Sequence, residues 1–197
     1  MASARLSRAE REPQMLEIAT EVFCQRGFAG ASMNEIATRC GVSKPMLYLY
    51  FDSKQELYLS CLAFVGEGLI AAIEKSLAGA HGVTEEVLAI AAGLFGYAEQ
   101  RERAWWGVIY AETMPANAAV AEATADYRMR IFALINRAMA EVFEDRIDAE
   151  AASHALIGAG ESLLRWWVLR PPDSAADMAR RLARILAPFL DGAERSS

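Results

Sequence analysis

Apolar residues recur at Met15, Ile18, Ala19, Val22 and Phe23, the i, i+3, i+4, i+7, i+8 spacing that lays one buried stripe along a helix. Gly27 follows as the stop. Ser32 with Glu35 opens a second, short helix as a capping box, and Ile36, Ala37 and Cys40 turn toward the first. Gly41 supplies a turn. Ser43 caps a third helix whose first turn carries Pro45, where a missing N–H costs nothing. Val42, Leu47 and Phe51 close the small core from the other side. Ser53 with Glu56 repeats the capping device and predicts a long helix from about Lys54 to Leu77. Beyond it the pattern stays helical, with breaks near Gly79–Gly82, Glu99–Arg103, Pro115–Asn117, Asp145–Asp148 and Pro171–Pro172. Ser174 with Asp177 caps a last helix that Gly192 ends. No alternating strand pattern, internal repeat or low-complexity tract is present. The chain reads as all-α: an N-terminal three-helix unit joined by a long helix to a larger C-terminal helical region.

Two short helices around a glycine turn are the layout of a helix-turn-helix, whose second helix enters the DNA major groove. Leu47 and Phe51 point inward. Lys44, Pro45, Met46, Tyr48, Leu49 and Tyr50 are left toward the groove and its walls. Lys44 and Lys54 suit phosphates, and Tyr48 and Tyr50 suit phosphates or sugars; such contacts position a protein on DNA. Base selectivity falls to Pro45, Met46 and Leu49 through thymine methyls, and to Ser43 or Thr38 by hydrogen bond. Tyrosines at helical spacing are more often partly buried core than DNA contacts, so neither tyrosine carries the reading alone.

Charge sharpens this picture. The chain of 197 residues has a net charge of −6, which does not look like a DNA binder. Residues 1–54 hold seven Lys/Arg against six Asp/Glu, however, and the remainder thirteen against twenty. The acidic excess lies outside the helix-turn-helix, as two jobs on two parts of one chain would require. Three cysteines, Cys24, Cys40 and Cys61, are odd in number and lack metal-ligand spacing; they read as reduced core thiols of a cytoplasmic protein, with redox sensing the alternative. No cofactor is implied. The first residues lack the apolar core of a signal peptide. No run reaches the roughly 18 uncharged apolar residues of a membrane span; residues 61–72 come nearest and Glu67 interrupts them.

Residues 13–62 resemble the N-terminal domain of the tetracycline-repressor (TetR) family of bacterial transcription regulators. The matching residues are Ala19, Phe23 and Gly27-Phe28; Ser32 and Ile36-Ala37; Gly41-Val42-Ser43-Lys44; Leu47-Tyr48 and Tyr50-Phe51; and Ser53-Lys54 with Leu57. The resemblance implies DNA contacts at Ser32, Ser43, Lys44, Pro45, Met46, Tyr48, Tyr50 and Lys54. Many members carry Gly-Thr in place of Pro45-Met46 and often His in place of Leu49, so the operator sequence is open while the binding mode is not. Residues 1–12, with Arg5, Arg8 and Arg11, form an arm that either reaches DNA or merely solubilises. Residues 13–58 then form the DNA-binding domain, and 59–197 an effector-binding and dimerisation domain.

Residues 151–190, with Gly158, Glu161, Leu164 and Trp166-Trp167 followed by Pro171, resemble the last two helices of many actinobacterial-type members, which in the family build the dimer. The residues support this independently. Ala151, Ala155, Gly158, Ala159 and Ser162 form a small-residue stripe, and the last helix offers Ala179, Leu182, Ile185, Leu186 and Phe189, enough for a four-helix bundle across a two-fold axis. A homodimer places two recognition helices about 34 Å apart on a palindromic operator. In the family, residues 80–145 would hold a small-molecule effector. Phe95, Tyr97, Trp105, Trp106, Tyr110, Met114 and Tyr127 are candidate linings with Glu112 the polar candidate, and ordinary core is the competing reading. The resemblance implies a two-state switch, most simply a repressor released from DNA by an apolar or aromatic effector.

An enzyme is disfavoured. His81 and His154 are solitary, and no phosphate loop, nucleophile elbow or metal-ligand spacing occurs. Pairs such as Glu85-Glu86 read as solvated helix faces. A third class is an interaction protein on the same fold that has lost DNA binding, which Pro45, Met46 and Leu49 leave open.

Overall fold

The structure, a computed structural model, describes residues 8–101, 118–141, 143–168 and 173–194, with residues 189–194 by backbone alone. Among the described residues the chain is helical throughout, in the order α1 (Arg8–Gly30), α2 (Met33–Arg39), α3 (Lys44–Tyr48), α4 (Lys54–Leu77), α5 (Val83–Gln100), α6 (Ala118–Met139), α7 (Arg146–Val168) and α8 (Ala175–Glu194). It divides into two compact units, residues 1–66 with 104–124 and residues 67–103 with 125–197, and the chain passes between them inside α4.

The first unit closes around α1. Met15, Leu16, Ala19, Val22 and Phe23 are buried there. Leu16 and Thr20 take the place expected for Ile18, which is half-buried. Thr20 is tolerated inside because its hydroxyl donates to the Leu16 carbonyl at 2.7 Å. Met33, Ile36 and Ala37 of α2, Leu47, Phe51, and Leu57, Tyr58, Cys61, Leu62 and Val65 of α4 complete the core. Val42 reaches it only half-buried. Gly27 kinks α1 instead of ending it: with φ 67° and ψ 171°, it adopts a backbone that side chains disfavour, and one further turn runs to Gly30. Helix α1 also begins at Arg8, inside the stretch expected to be an arm.

The second unit stacks α5 against α8, with α7 and the C-terminal half of α4 alongside. Gly93 permits a close helix crossing: a Cβ there would lie 2.7 Å from the Ile73 Cα and 3.0 Å from the Ala72 carbonyl oxygen. Glu99 caps α8 from a distance, its carboxylate accepting the Ala175 N–H at 2.9 Å. Ser174 and Asp177 form the expected capping box, with Asp177 N donating to Ser174 Oγ at 3.2 Å and Ser174 N to Asp177 Oδ2 at 3.3 Å. Asp145 accepts from Ile147 N and Asp148 N and starts α7 at Arg146, so the expected break at Asp145–Asp148 lies a little earlier. Gly192, expected to end α8, falls inside it.

One difference concerns α4. Glu67 breaks the uncharged run as expected, yet with that charge α4 is still long and apolar enough to cross a membrane, by length and composition alone. Burial explains the composition: Leu57, Leu62 and Val65 face the first unit's core, while Leu69, Ile70 and Ile73 face the second's.

Candidate nucleic-acid interface

Local capping builds the two short helices. Ser32 Oγ accepts the Glu35 N–H at 3.1 Å and opens α2. Glu35 turns its carboxylate toward Arg26, 3.7 Å away, so only half of the capping box forms. Helix α2 ends in a Schellman motif: Gly41, at φ 66°, donates to the Thr38 carbonyl at 3.1 Å, and Val42 donates to the Ala37 carbonyl at 3.0 Å. Two residues later Ser43 Oγ accepts the Met46 N–H at 3.3 Å and starts α3. Leu47 is wholly buried and anchors the five-residue helix on the core.

That anchoring decides what faces outward. Ser43, Lys44 and Pro45 are exposed, Tyr48 is 41% exposed and Leu49 70% exposed, one contiguous surface of a cation, two hydroxyls and two apolar groups. Met46 and Tyr50 are half-buried. Ser32 is exposed at the start of α2, and its hydroxyl, which accepts in the cap, keeps its proton for an outside acceptor. Tyr50 lies against Phe51, ring centroids 6.3 Å apart, under the Arg8 guanidinium 5.0 Å from its ring. Arg8 is therefore held on the Tyr50 ring from the first turn of α1. Arg5 and the rest of residues 1–7 lie outside the described residues.

Lys54 needs a correction. Its ammonium donates to the Phe28 carbonyl at 2.8 Å and to the Ala31 carbonyl at 3.0 Å, and sits 4.5 Å from the Phe28 ring centroid. Two of its three donors are spent inside the protein, which disagrees with its assignment to a phosphate. Sequence spacing could not reveal this, because the partners lie 26 and 23 residues away.

Other candidates fare differently. Phe95 is wholly buried, its ring set edge-on against Trp167 at 5.6 Å, and Tyr127 is nearly so, beneath the Arg130 guanidinium. Both read as core. Trp105, Trp106, Tyr110, Glu112 and Met114 lie outside the described residues. An open concavity of about 530 Å³ is lined instead by Leu88, Asp177, Arg180, Arg181, Ala183 and Arg184, none of them an expected effector residue. Of the dimer candidates, Ala155, Gly158 and Ser162 are exposed, Ala159 and Leu186 half-buried, and Ile185 is 52% exposed. Leu182 is the exception: it is buried within its own chain, lying near Gly160, so it presents nothing to a partner. The Phe189 side chain lies outside the described residues. All three cysteines are free. Burial pushes the Cys40 thiol up to about 11 and that of Cys61 to about 12, which keeps both protonated at neutral pH. Among the described residues no cluster could hold a metal ion.

Comparison with known proteins agrees with this geometry. Residues 15–61 match the family of bacterial regulatory proteins described as the tetR family. A TetR-like transcriptional regulator from Rhodococcus sp. RHA1, known from its crystal structure, is 34% identical with a TM-score of 0.76, and the match covers 93% of this chain and 99% of that one. The HTH-type transcriptional activator FasR of Mycolicibacterium smegmatis is 49% identical over 73 residues, 37% of this chain but only 33% of its own length. The chain thus matches about a third of that regulator. The regulator FadR from Bacillus subtilis, solved in complex with stearoyl-CoA, shares the fold at a TM-score of 0.76 and 16% identity, over 88% of this chain and 96% of that one.

Proposed function

The chain belongs to the tetR family of bacterial regulatory proteins, and on that premise we propose that it is a homodimeric, sequence-specific operator-binding regulator acting in the cytoplasm. Residues 13–58 read double-stranded DNA, and residues 59–197 dimerise and bind a small effector. The observation that carries the reading is the outward surface of Ser43, Lys44, Pro45, Tyr48 and Leu49, held by a wholly buried Leu47 and two capped helix starts. Lys44, Tyr48 and the Ser32 and Ser43 hydroxyls grip the phosphate–sugar wall, while Pro45, Met46 and Leu49 meet base edges. Tyr50, half-buried, buttresses this surface together with Arg8.

The exposed Ala151, Ala155, Gly158 and Ser162 on α7, with Trp166 and Ile185, supply the face for a second copy. Small residues allow close helix approach, and the two large apolar groups supply the area. A two-fold dimer sets a palindromic operator. Repression is the simplest output, because a bound dimer excludes other proteins. FasR is named an activator, but its match covers only 37% of this chain and 33% of its own length, and direction depends on where the operator lies. An effector that prefers the DNA-incompetent conformation by about 1–3 kcal/mol would weaken operator binding roughly 5- to 150-fold.

The test is a gel shift against duplexes selected from a random pool. A palindromic duplex should be retained, and binding should fall steeply with salt. A tight dimer that retains no duplex even at low salt would favour an interaction protein instead.

A further inference from the structure

We infer that Lys54 is a positioning residue: it ties the first turn of α4 to the α1–α2 connection and so holds the start of α2, and through it α3, in register for DNA. The inference rests on the DNA-binding reading. Gly27 kinks α1, and the helix ends at Gly30. The carbonyls of Phe28 and Ala31 therefore point past the helix end, where the N–H groups four residues on are not in α1; that of Glu35 is already committed to Ser32 Oγ. Lys54 supplies the donors, at 2.8 and 3.0 Å, as charge-assisted hydrogen bonds. The same ammonium lies over the Phe28 ring, which stacks on Phe23 at 6.1 Å and takes the edge of Tyr58 at 5.4 Å. Lys54 and Tyr58 stand one helical turn apart on α4, so a single face of that helix grips Phe28. Ala31 precedes Ser32 directly, and Ser32 is the α2 cap. A movement of α4 at Lys54 is thereby delivered to the cap and to the α2–α3 pair packed behind it.

A phosphate contact and a tether differ in salt dependence. Each phosphate neutralised contributes about 0.9 to the slope of log K against log salt. Anisotropy titrations with the selected duplex would compare wild type, Lys54→Met, Lys54→Arg and Lys44→Met between roughly 50 and 200 mM salt. Lys54→Met should weaken binding by about tenfold, the scale of one charge-assisted hydrogen bond, with the wild-type slope retained. Lys44→Met should lower the slope by about 0.9, and Lys54→Arg, which can still donate to both carbonyls, should restore affinity. In the free protein, Lys54→Met should shift amide signals at Phe28–Glu35 and leave those of α5 and α8 in place. A slope lowered in Lys54→Met as in Lys44→Met would overturn the inference, as would unchanged Ser32–Glu35 amides or unchanged affinity. Absent operator binding by the wild type would sink the DNA reading instead, and the amide shifts would still decide the tether.

Discussion

The two units are held together at different ranges along the chain. In the first, the caps of α2 and α3 join residues three to five apart, Ser32 to Glu35, Thr38 to Gly41, Ala37 to Val42 and Ser43 to Met46, and Lys54 adds a longer tie to Phe28 and Ala31. In the second, long ties join elements far apart. Glu99 caps a helix 76 residues downstream, Arg130 reaches back 63 residues to Glu67, and Gly93 admits the α4 backbone. A surface that must present a fixed set of groups to DNA is built from short, stiff, self-capped pieces. A region proposed to change shape with an effector depends on helix crossings, which can reset together.

If that contrast is real, the largest effect should come from Leu47→Ala. The truncation should cost the first unit about 2–5 kcal/mol. Hydrogen exchange should show protection lost across α1–α3 and retained in α5 and α8; equal loss in both would show that the units unfold as one. Next is Gly93→Ala, whose methyl would strike the Ile73 backbone. A destabilisation of about 1–3 kcal/mol is expected, read by denaturant titration, with α2 and α3 protection unchanged. Tyr48→Ala comes third: the exposed ring should leave the melting temperature in place and weaken operator binding by about tenfold, the size of roughly one charge-assisted contact. A wild-type affinity would remove Tyr48 from the interface.

The smallest effect concerns Glu67 and Arg130. Hydrogen bonds from Arg130, at 2.5 and 3.0 Å, hold the Glu67 carboxyl below the usual carboxylate range. A depressed carboxyl stabilises the fold above its ordinary pKa and loses that contribution as pH falls through its folded value. Both side chains are largely exposed, so the loss should be slight. Glu67→Gln should slightly reduce the difference between melting curves above and below the carboxylate range, and Arg130→Met should reduce it as much, the rest coming from other depressed carboxyls such as Asp177; a pH response unchanged in both would remove this pair as a contributor.

The same contrast explains what could be read in advance. Caps, the glycine turn, the start of α4 and the outward face of α3 are local consequences of residue type, so Ser32, Ser43, Gly41 and Lys44 were legible. Charge and position suit Lys54 to a phosphate, whereas its carbonyl partners Phe28 and Ala31 follow from a kink at Gly27 that spacing does not reveal. Periodicity puts Leu182 on an apolar stripe without saying whether its own chain or another covers it. Phe95 stood out as an aromatic in an aromatic-rich region, but only the long-range meeting with Trp167 shows that its ring is core.

The exposed face of α3 is proposed to read bases. Selection of bound duplexes from a random pool tests it most directly, comparing wild type with a variant carrying Pro45→Gly, Met46→Thr and Leu49→His. These side chains are outside the fully buried core, so dimer and fold should survive. Wild type should enrich a palindromic site and the variant a different half-site at the same spacing. The same half-site from both proteins, or no enrichment by wild type, would contradict it.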